Sequence, residues 1–84
     1  MDHTLTLRIP FPSAAQADIA RRAIEPNREP RKDLLVRELA VDADASTLEA
    51  RFRARNVKTL RVSVNSFLES VVLVSRTMSA FADD

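Results

Sequence analysis

Residues 57–82 read VKTLRVSVNSFLESVVLVSRTMSAFA, a run with neither proline nor glycine. Placed at about 100° per residue, its apolar positions separate into two stripes. The main stripe holds Leu60, Val64, Phe67, Leu68, Val71, Val74, Met78 and Phe81. A second lies nearly opposite, with Val62, Leu73 and Ala80 bordered by Ser66, Ser70 and Thr77. Arg61, Asn65, Glu69 and Arg76 divide the stripes along one flank. The spacing predicts one long helix over 57–82, with Asn56 placed to cap it. Helices average about 11–12 residues, so this one is long for a small chain. Valine and serine are weak helix formers, and packing has to supply its stability. The main stripe can cover a small sheet. The second has nothing left in an 84-residue chain to cover it, and reads as a protein-interaction surface. Burying a half-apolar patch of about 800 Å² would gain on the order of 10 kcal/mol before the cost of association.

Working backwards, Thr47 to Arg55 alternates, with Leu48, Ala50, Phe52 and Ala54 inward and Glu49, Arg51, Arg53 and Arg55 outward, as in a half-buried strand. Residues 42–46, Asp-Ala-Asp-Ala-Ser, form a turn; without glycine it is expected to be a four- or five-residue loop built on a type I turn. Leu34 to Val41 is a less regular strand. Leu35, Leu39 and Val41 face inward, but Arg37 has the same parity, so it snorkels at the sheet margin or a bulge shifts the register. Residues 25–33 are a polar loop punctuated by Pro26 and Pro30. Ala14 to Ile24 is a helix opened by a Ser13/Gln16 capping box, with Ala15, Ile19, Ala20 and Ala23 assigned to one narrow face. Residues 4–11 alternate again. Leu5, Leu7, Ile9 and Phe11 form the inward set, and Pro10 marks an edge strand or the end of pairing.

The order is β-α-β-β-α. A right-handed crossover after the first strand leaves a slot that the third strand fills, antiparallel to both others. The expected fold is therefore α+β, a single domain over 1–84, with a three-stranded antiparallel sheet and both helices on one face. The other face, with Thr4, Thr6, Arg8, Glu49, Arg51, Arg53 and Arg55, is left to water.

Composition removes most chemistries. There is no cysteine, so disulfides, thiolate metal sites and cysteine nucleophiles are excluded, and a reducing compartment is allowed. There is no glycine, so phosphate-cradling loops and the serine-hydrolase elbow cannot be built. One histidine makes a zinc site unlikely on count alone. No window is long and apolar enough for a membrane span, and the first residues are not those of a signal peptide. Asp18, Glu25, Glu38, Glu49 and Glu69 are dispersed over polar faces, and no nucleophile–base pair can be nominated. The expectation is a protein that is not an enzyme and takes no cofactor or metal. The formal charge is +1, no global basic field. The cations are uneven, however. Arg51, Arg53, Arg55, Lys58 and Arg61 occupy a stretch with no carboxylate between Glu49 and Glu69. That stretch is a solvated face or a phosphate-contacting patch.

Three stretches carry a family likeness. Ile9-Pro10-Phe11 precedes Ala17-Asp18-Ile19-Ala20 and Glu25-Pro26; Ala50-Arg51-Phe52-Arg53-Ala54 follows; and Leu60-Arg61-Val62-Ser63-Val64-Asn65-Ser66-Phe67-Leu68-Glu69 leads to Met78. Together they resemble the smallest core subunit of the KEOPS/EKC complex, the CTAG/LAGE/Pcc-type family, with fungal members the most similar in length and in the N-terminal Asp-His-Thr-Leu. The resemblance implies a non-catalytic scaffold that dimerises, with a second copy or with a small fungal subunit in its place. It also implies docking to helices of the complex's threonylcarbamoyltransferase subunit through a helical bundle. The complex so implied installs N6-threonylcarbamoyl on adenosine 37 of tRNA, in cytoplasm and nucleus; the family is also associated with telomere maintenance and transcription. Carried onto this chain, the bundle contact falls on Ala17, Ile24, Val62, Ser66, Leu73 and Ala80. Arg61 becomes the foremost tRNA phosphate contact, with Arg53, Arg55 and Lys58 behind it and a local pair of Arg61 with Glu69 or another carboxylate as the alternative. A competing reading is a stand-alone small RNA-binding module. It is weakened because Phe52 and Phe67 have core parity and no glycine loop is available.

Overall fold

The computed structural model describes residues 2–26 and 33–82. Its elements are β1 (His3–Pro10), α1 (Ala14–Ile24), β2 (Leu35–Asp42), β3 (Thr47–Ala54) and α2 (Val57–Ala82). Both helices keep the limits expected from the sequence. Strands β1 and β2 each shift by one residue, and β3 ends one residue earlier. At Phe11 the ladder has stopped: Pro10 ends it, and the Phe11 amide donates instead to the Ser46 carbonyl at 2.8 Å.

The sheet order is β1-β3-β2, with β3 antiparallel to both neighbours, as the crossover argument requires. Leu5, Leu7 and Ile9 of β1 oppose Phe52, Ala50 and Leu48 of β3. On the other side Leu35, Leu39 and Val41 of β2 oppose Ala54, Ala50 and Leu48. The β2 register is unbroken, so no bulge rescues Arg37, which lies opposite Phe52. Arg37 instead runs along the margin, and its Nη2 donates to the carbonyls of Ile24 and Glu25, each at 3.4 Å. It thus meets acceptors that the end of α1 leaves open, where many helices use a glycine.

Helix α1 packs over β2 and β3, and α2 over β3 and β1. Ser13 caps α1 by accepting from the Gln16 amide at 3.2 Å. Asn56 Oδ1 does the same for α2, accepting from Thr59 at 2.7 Å. Ala20, Ile24, Leu48, Ala50, Phe52, Phe67 and Val71 form the buried core. The Phe52 and Phe67 rings meet edge to face, with centroids 5.6 Å apart. Two expectations for the helices change. Ala20 is buried and does not share a face with exposed Ile19, because α1 turns its 17-20-24 spacing inward. Leu68, assigned to the main stripe of α2, lies at its rim and is exposed.

Ala43 to Ser46 connect β2 to β3, a four-residue loop of the expected length. The Ser46 amide donates to the Ala43 carbonyl at 3.4 Å, and the Ala45 amide to Asp42 Oδ1 at 3.3 Å. Ser46 has φ of 51°, the left-handed region that glycine would fill without strain.

Candidate protein-interaction surfaces

The outer side of the helices presents the first surface. Val62 is 61% and Leu73 67% exposed, while Phe67 on the same helix is buried. Val62, Ser66, Leu73 and Ala80 fall within about 40° of one another around α2. Ser66 and Ala80 are exposed as well. The hydroxyls bordering this strip turn back on their own helix: Ser70 Oγ donates to the Ser66 carbonyl at 3.1 Å and Thr77 Oγ1 to the Leu73 carbonyl at 3.0 Å. Satisfied in this way, they leave a surface that another helix can approach closely.

Two residues expected on this surface lie elsewhere. Ala17 is 0% and Ile24 1% exposed, both packed beneath α1. The small side chains of Ala17 and Ala20 let α1 sit close to the sheet, which consumes that stripe as core. The outer side of α1 belongs to Ile19, with Ala15 and Ala23. The signal was present in the sequence, since 17, 20 and 24 follow helical spacing whereas 19 and 20 sit about 100° apart.

A second surface was missed at the free margin of β1. Leu5 of β1 and Val57, Leu68 and Val72 of α2 are all exposed apolar residues. Val57, Leu68 and Val72 lie within about 60° on the wheel, on the flank that also holds Arg61, Ser75 and Ser79. Ser75 and Ser79 line a groove with Ile9, Pro10 and Phe11 and with Gln16 of α1, which places the C-terminal part of this flank over the end of β1 and beside the start of α1. Leu68 hid in the main stripe because its angle lies only at that stripe's border.

The outer face of the sheet is charged and largely self-neutralising. Arg8 pairs with Asp42 at 2.9 Å and with Glu49, Arg51 with Glu49 at 2.7 Å, and Arg53 with Glu38 at 3.6 Å. The Arg8 hydrogen bond, joined by the Ala45 amide, holds the Asp42 carboxyl below its usual range. Arg55 Nε donates to the Asp33 carbonyl at 2.7 Å. Lys58 and Arg61 are exposed on the first turns of α2, and among the described residues Arg61 forms no ion pair with Glu69 or another carboxylate. The four cations are therefore not equivalent. Arg53 and Arg55 have partners on or beside the sheet, while Lys58 and Arg61 project from the helix. Among the described residues no cluster of acidic or histidine side chains could hold a metal ion, and no helix is long and apolar enough to cross a membrane.

Residues 4–79 match the family model described as Transcription factor Pcc1. The chain belongs to the Pcc1 family. Among curated members, it is 37% identical over 79 residues to the human EKC/KEOPS complex subunit LAGE3, covering 94% of this chain and 54% of that protein. It is 40% identical over 77 residues to the EKC/KEOPS complex subunit PCC1 of Eremothecium gossypii, covering 92% and 93%. The chain thus spans about half the length of the human relative and nearly all of the fungal one. These identities do not divide fungal from animal members. Among solved structures, a chain of the Gon7-Pcc1 binary complex superposes with a TM-score of 0.86 at 28% identity, covering 95% of this chain and 96% of that one. The Pcc1 likeness extends over nearly the whole chain and with it over all five elements.

Proposed function

We propose that this Pcc1-family chain is a non-catalytic scaffold subunit of an EKC/KEOPS complex that installs N6-threonylcarbamoyl on adenosine 37 of tRNA. It docks the transferase subunit through the outer helix surface and a second chain through the β1 margin. The exposed strip Val62, Ser66, Leu73 beside Ile19 carries this reading. Val62 and Leu73 are well exposed, and the Ser70 and Thr77 hydroxyls along the border are satisfied by their own helix. Curated relatives named as complex subunits, and a solved relative bound to Gon7, support an assembly role.

The β1 edge suits strand addition better than the β2 edge. On the helix side β1 offers Leu5, Leu7 and Ile9 beside the apolar flank of α2, whereas β2 carries Arg37 at its centre; on the outer face each edge strand carries a charge, Arg8 on β1 and Glu38 on β2. Charged groups on an edge strand discourage pairing. A Gon7-type subunit or a second copy would take the β1 side. Contact with tRNA falls to the assembled complex, with Lys58 and Arg61 as the two cations of the original set that project from the helix.

The test is Leu73→Arg in the full chain, co-expressed with the transferase subunit. The variant keeps its circular dichroism spectrum and melting temperature and loses the transferase on purification. A folded variant that still retains the enzyme rejects the outer helix surface as the docking site.

A further inference from the structure

The open edge of β1 ends in a chemical stop. The Phe11 amide points to Ser46, just before β3, and the Arg55 amide points to Leu34, beside β2. Backbone groups alternate in direction along a strand, and both bonds give the same assignment. With the pairing of β1 to β3, they turn the amides and carbonyls of His3, Leu5, Leu7 and Ile9 toward the sheet and those of Thr4, Thr6, Arg8 and Pro10 toward the open edge. Thr4, Thr6 and Arg8 each offer a donor and an acceptor there. Pro10 has no N–H, and its ring stands where the carbonyl of an added strand would approach. A proline on an edge discourages pairing. Here it closes only one end, because the three open positions before it are intact.

The consequence is a register. Two copies of β1 meeting about a two-fold axis pair antiparallel. The alignment that suits the helix-side residues best is centred on Leu7, which faces its own equivalent while Leu5 faces Ile9. That alignment puts Pro10 directly opposite Thr4 and leaves the Thr4 carbonyl against the ring without a donor. Moving the centre to Thr6 carries Pro10 past the partner strand, opposite Asp2, which precedes β1. Thr4 then faces Arg8, Thr6 faces Thr6, and Leu5 faces Leu7. Centring on Leu5 also frees Pro10 but pairs only 3–7 in place of 3–9. We propose that Pro10 sets the register at the β1 margin, confining an added strand to the open positions Thr4, Thr6 and Arg8 and centring the β1 strand of a second copy on Thr6. This rests on the β1 margin being a partner site. In that register the exposed Leu5 lies against the second copy's Leu7, beside the apolar flank of Val57, Leu68 and Val72.

The chain has no cysteine, so introduced cysteines report the register. They are placed singly at Thr4, Thr6 or Arg8, all exposed, in the full chain. Cross-linking by oxidised glutathione is read on non-reducing gels, and self-association of the parent by sedimentation equilibrium. Hydrogen-bonded partners across an antiparallel pair have Cα atoms about 5.5 Å apart, within disulfide range. Thr6→Cys is expected to cross-link to itself at least about tenfold more than Thr6→Cys mixed with Thr4→Cys or with Arg8→Cys cross-links between its members. Pro10→Ala restores the missing donor, and with it the Thr6/Arg8 product, which marks the Leu7 centre, is expected to rise at least about tenfold relative to the Thr6/Thr6 product. Circular dichroism checks that each variant is folded. A parent that stays monomeric at micromolar concentrations overturns the second copy as occupant. Dimers that cross-link at none of the three positions reject the β1 margin itself. A parent that gives mainly the Thr4/Thr6 or Thr6/Arg8 product, or a pattern unmoved by Pro10→Ala, rejects Pro10 as the register stop and leaves the margin as a partner site.

Discussion

Single residues here stand in for the glycine the chain lacks. Ser46 turns the β2–β3 connection at φ of 51°, where its Cβ crowds the backbone. Ser46→Gly should raise unfolding free energy by up to about 1 kcal/mol, read from a urea midpoint shift at unchanged slope; the gain is limited by the entropy glycine restores to the unfolded chain. Nearby, Asp42 ties β2 to Arg8 of β1 across the central strand. Its carboxyl titrates below the usual range in the fold, so the folded state binds fewer protons than the unfolded chain in acid. The resulting stabilisation is complete above the unfolded carboxylate value and is lost as pH falls below about 4. Asp42→Asn should flatten that part of an acid-denaturation series while leaving the neutral-pH spectrum intact.

At the scale of elements, β3 is the hub of the sheet and α2 closes the core over it. The core side of α2 meets β3 through Phe67 and Phe52, and Phe67 is 1% exposed. Phe67→Leu should cost about 1–2 kcal/mol and Phe67→Ala about 3–5 kcal/mol. Domains of this size have only about 4–13 kcal/mol in total, so thermal melts should show the alanine variant near or past its folding limit. The limits of both helices were legible because caps, proline and the apolar period agreed at Ser13, Pro26 and Asn56. The strands were legible in parity and less so in their ends, where the alternation continues through Phe11 and Arg55 but the hydrogen-bonded ladder does not. Arg37 was read as a snorkel or a bulge. The register decides for the snorkel, and its bonds to the end of α1 depend on a contact between distant segments that no local pattern encodes. The second apolar surface was lost for a related reason. A helical wheel gives directions around one axis but not the width of the neighbour beneath it, and a three-stranded sheet ends before it reaches Leu68.

For the whole molecule, thinness matters most. The principal extents are 44 × 24 × 17 Å, a plate one sheet and one helix layer thick. α2 is about 39 Å long, against about 27 Å for an eight-residue strand, so its length exceeds that of the sheet it covers. The ion pairs on the outer sheet face are exposed and each contributes little to stability. Their larger effect is to occupy Arg8, Arg51 and Arg53, which lowers the positive potential open to RNA. The isolated chain should therefore bind tRNA weakly at physiological salt in a filter-binding titration, with affinity rising when it is assembled with its partners. Tight binding by the chain alone would instead support an independent RNA-binding role.

Leu73 of the outer strip and Leu68 and Val72 of the β1 flank line one groove on α2, so the two surfaces share a border along a single helix. Chains seated on both would meet each other over that border, and part of the fit of each would be set by its neighbour.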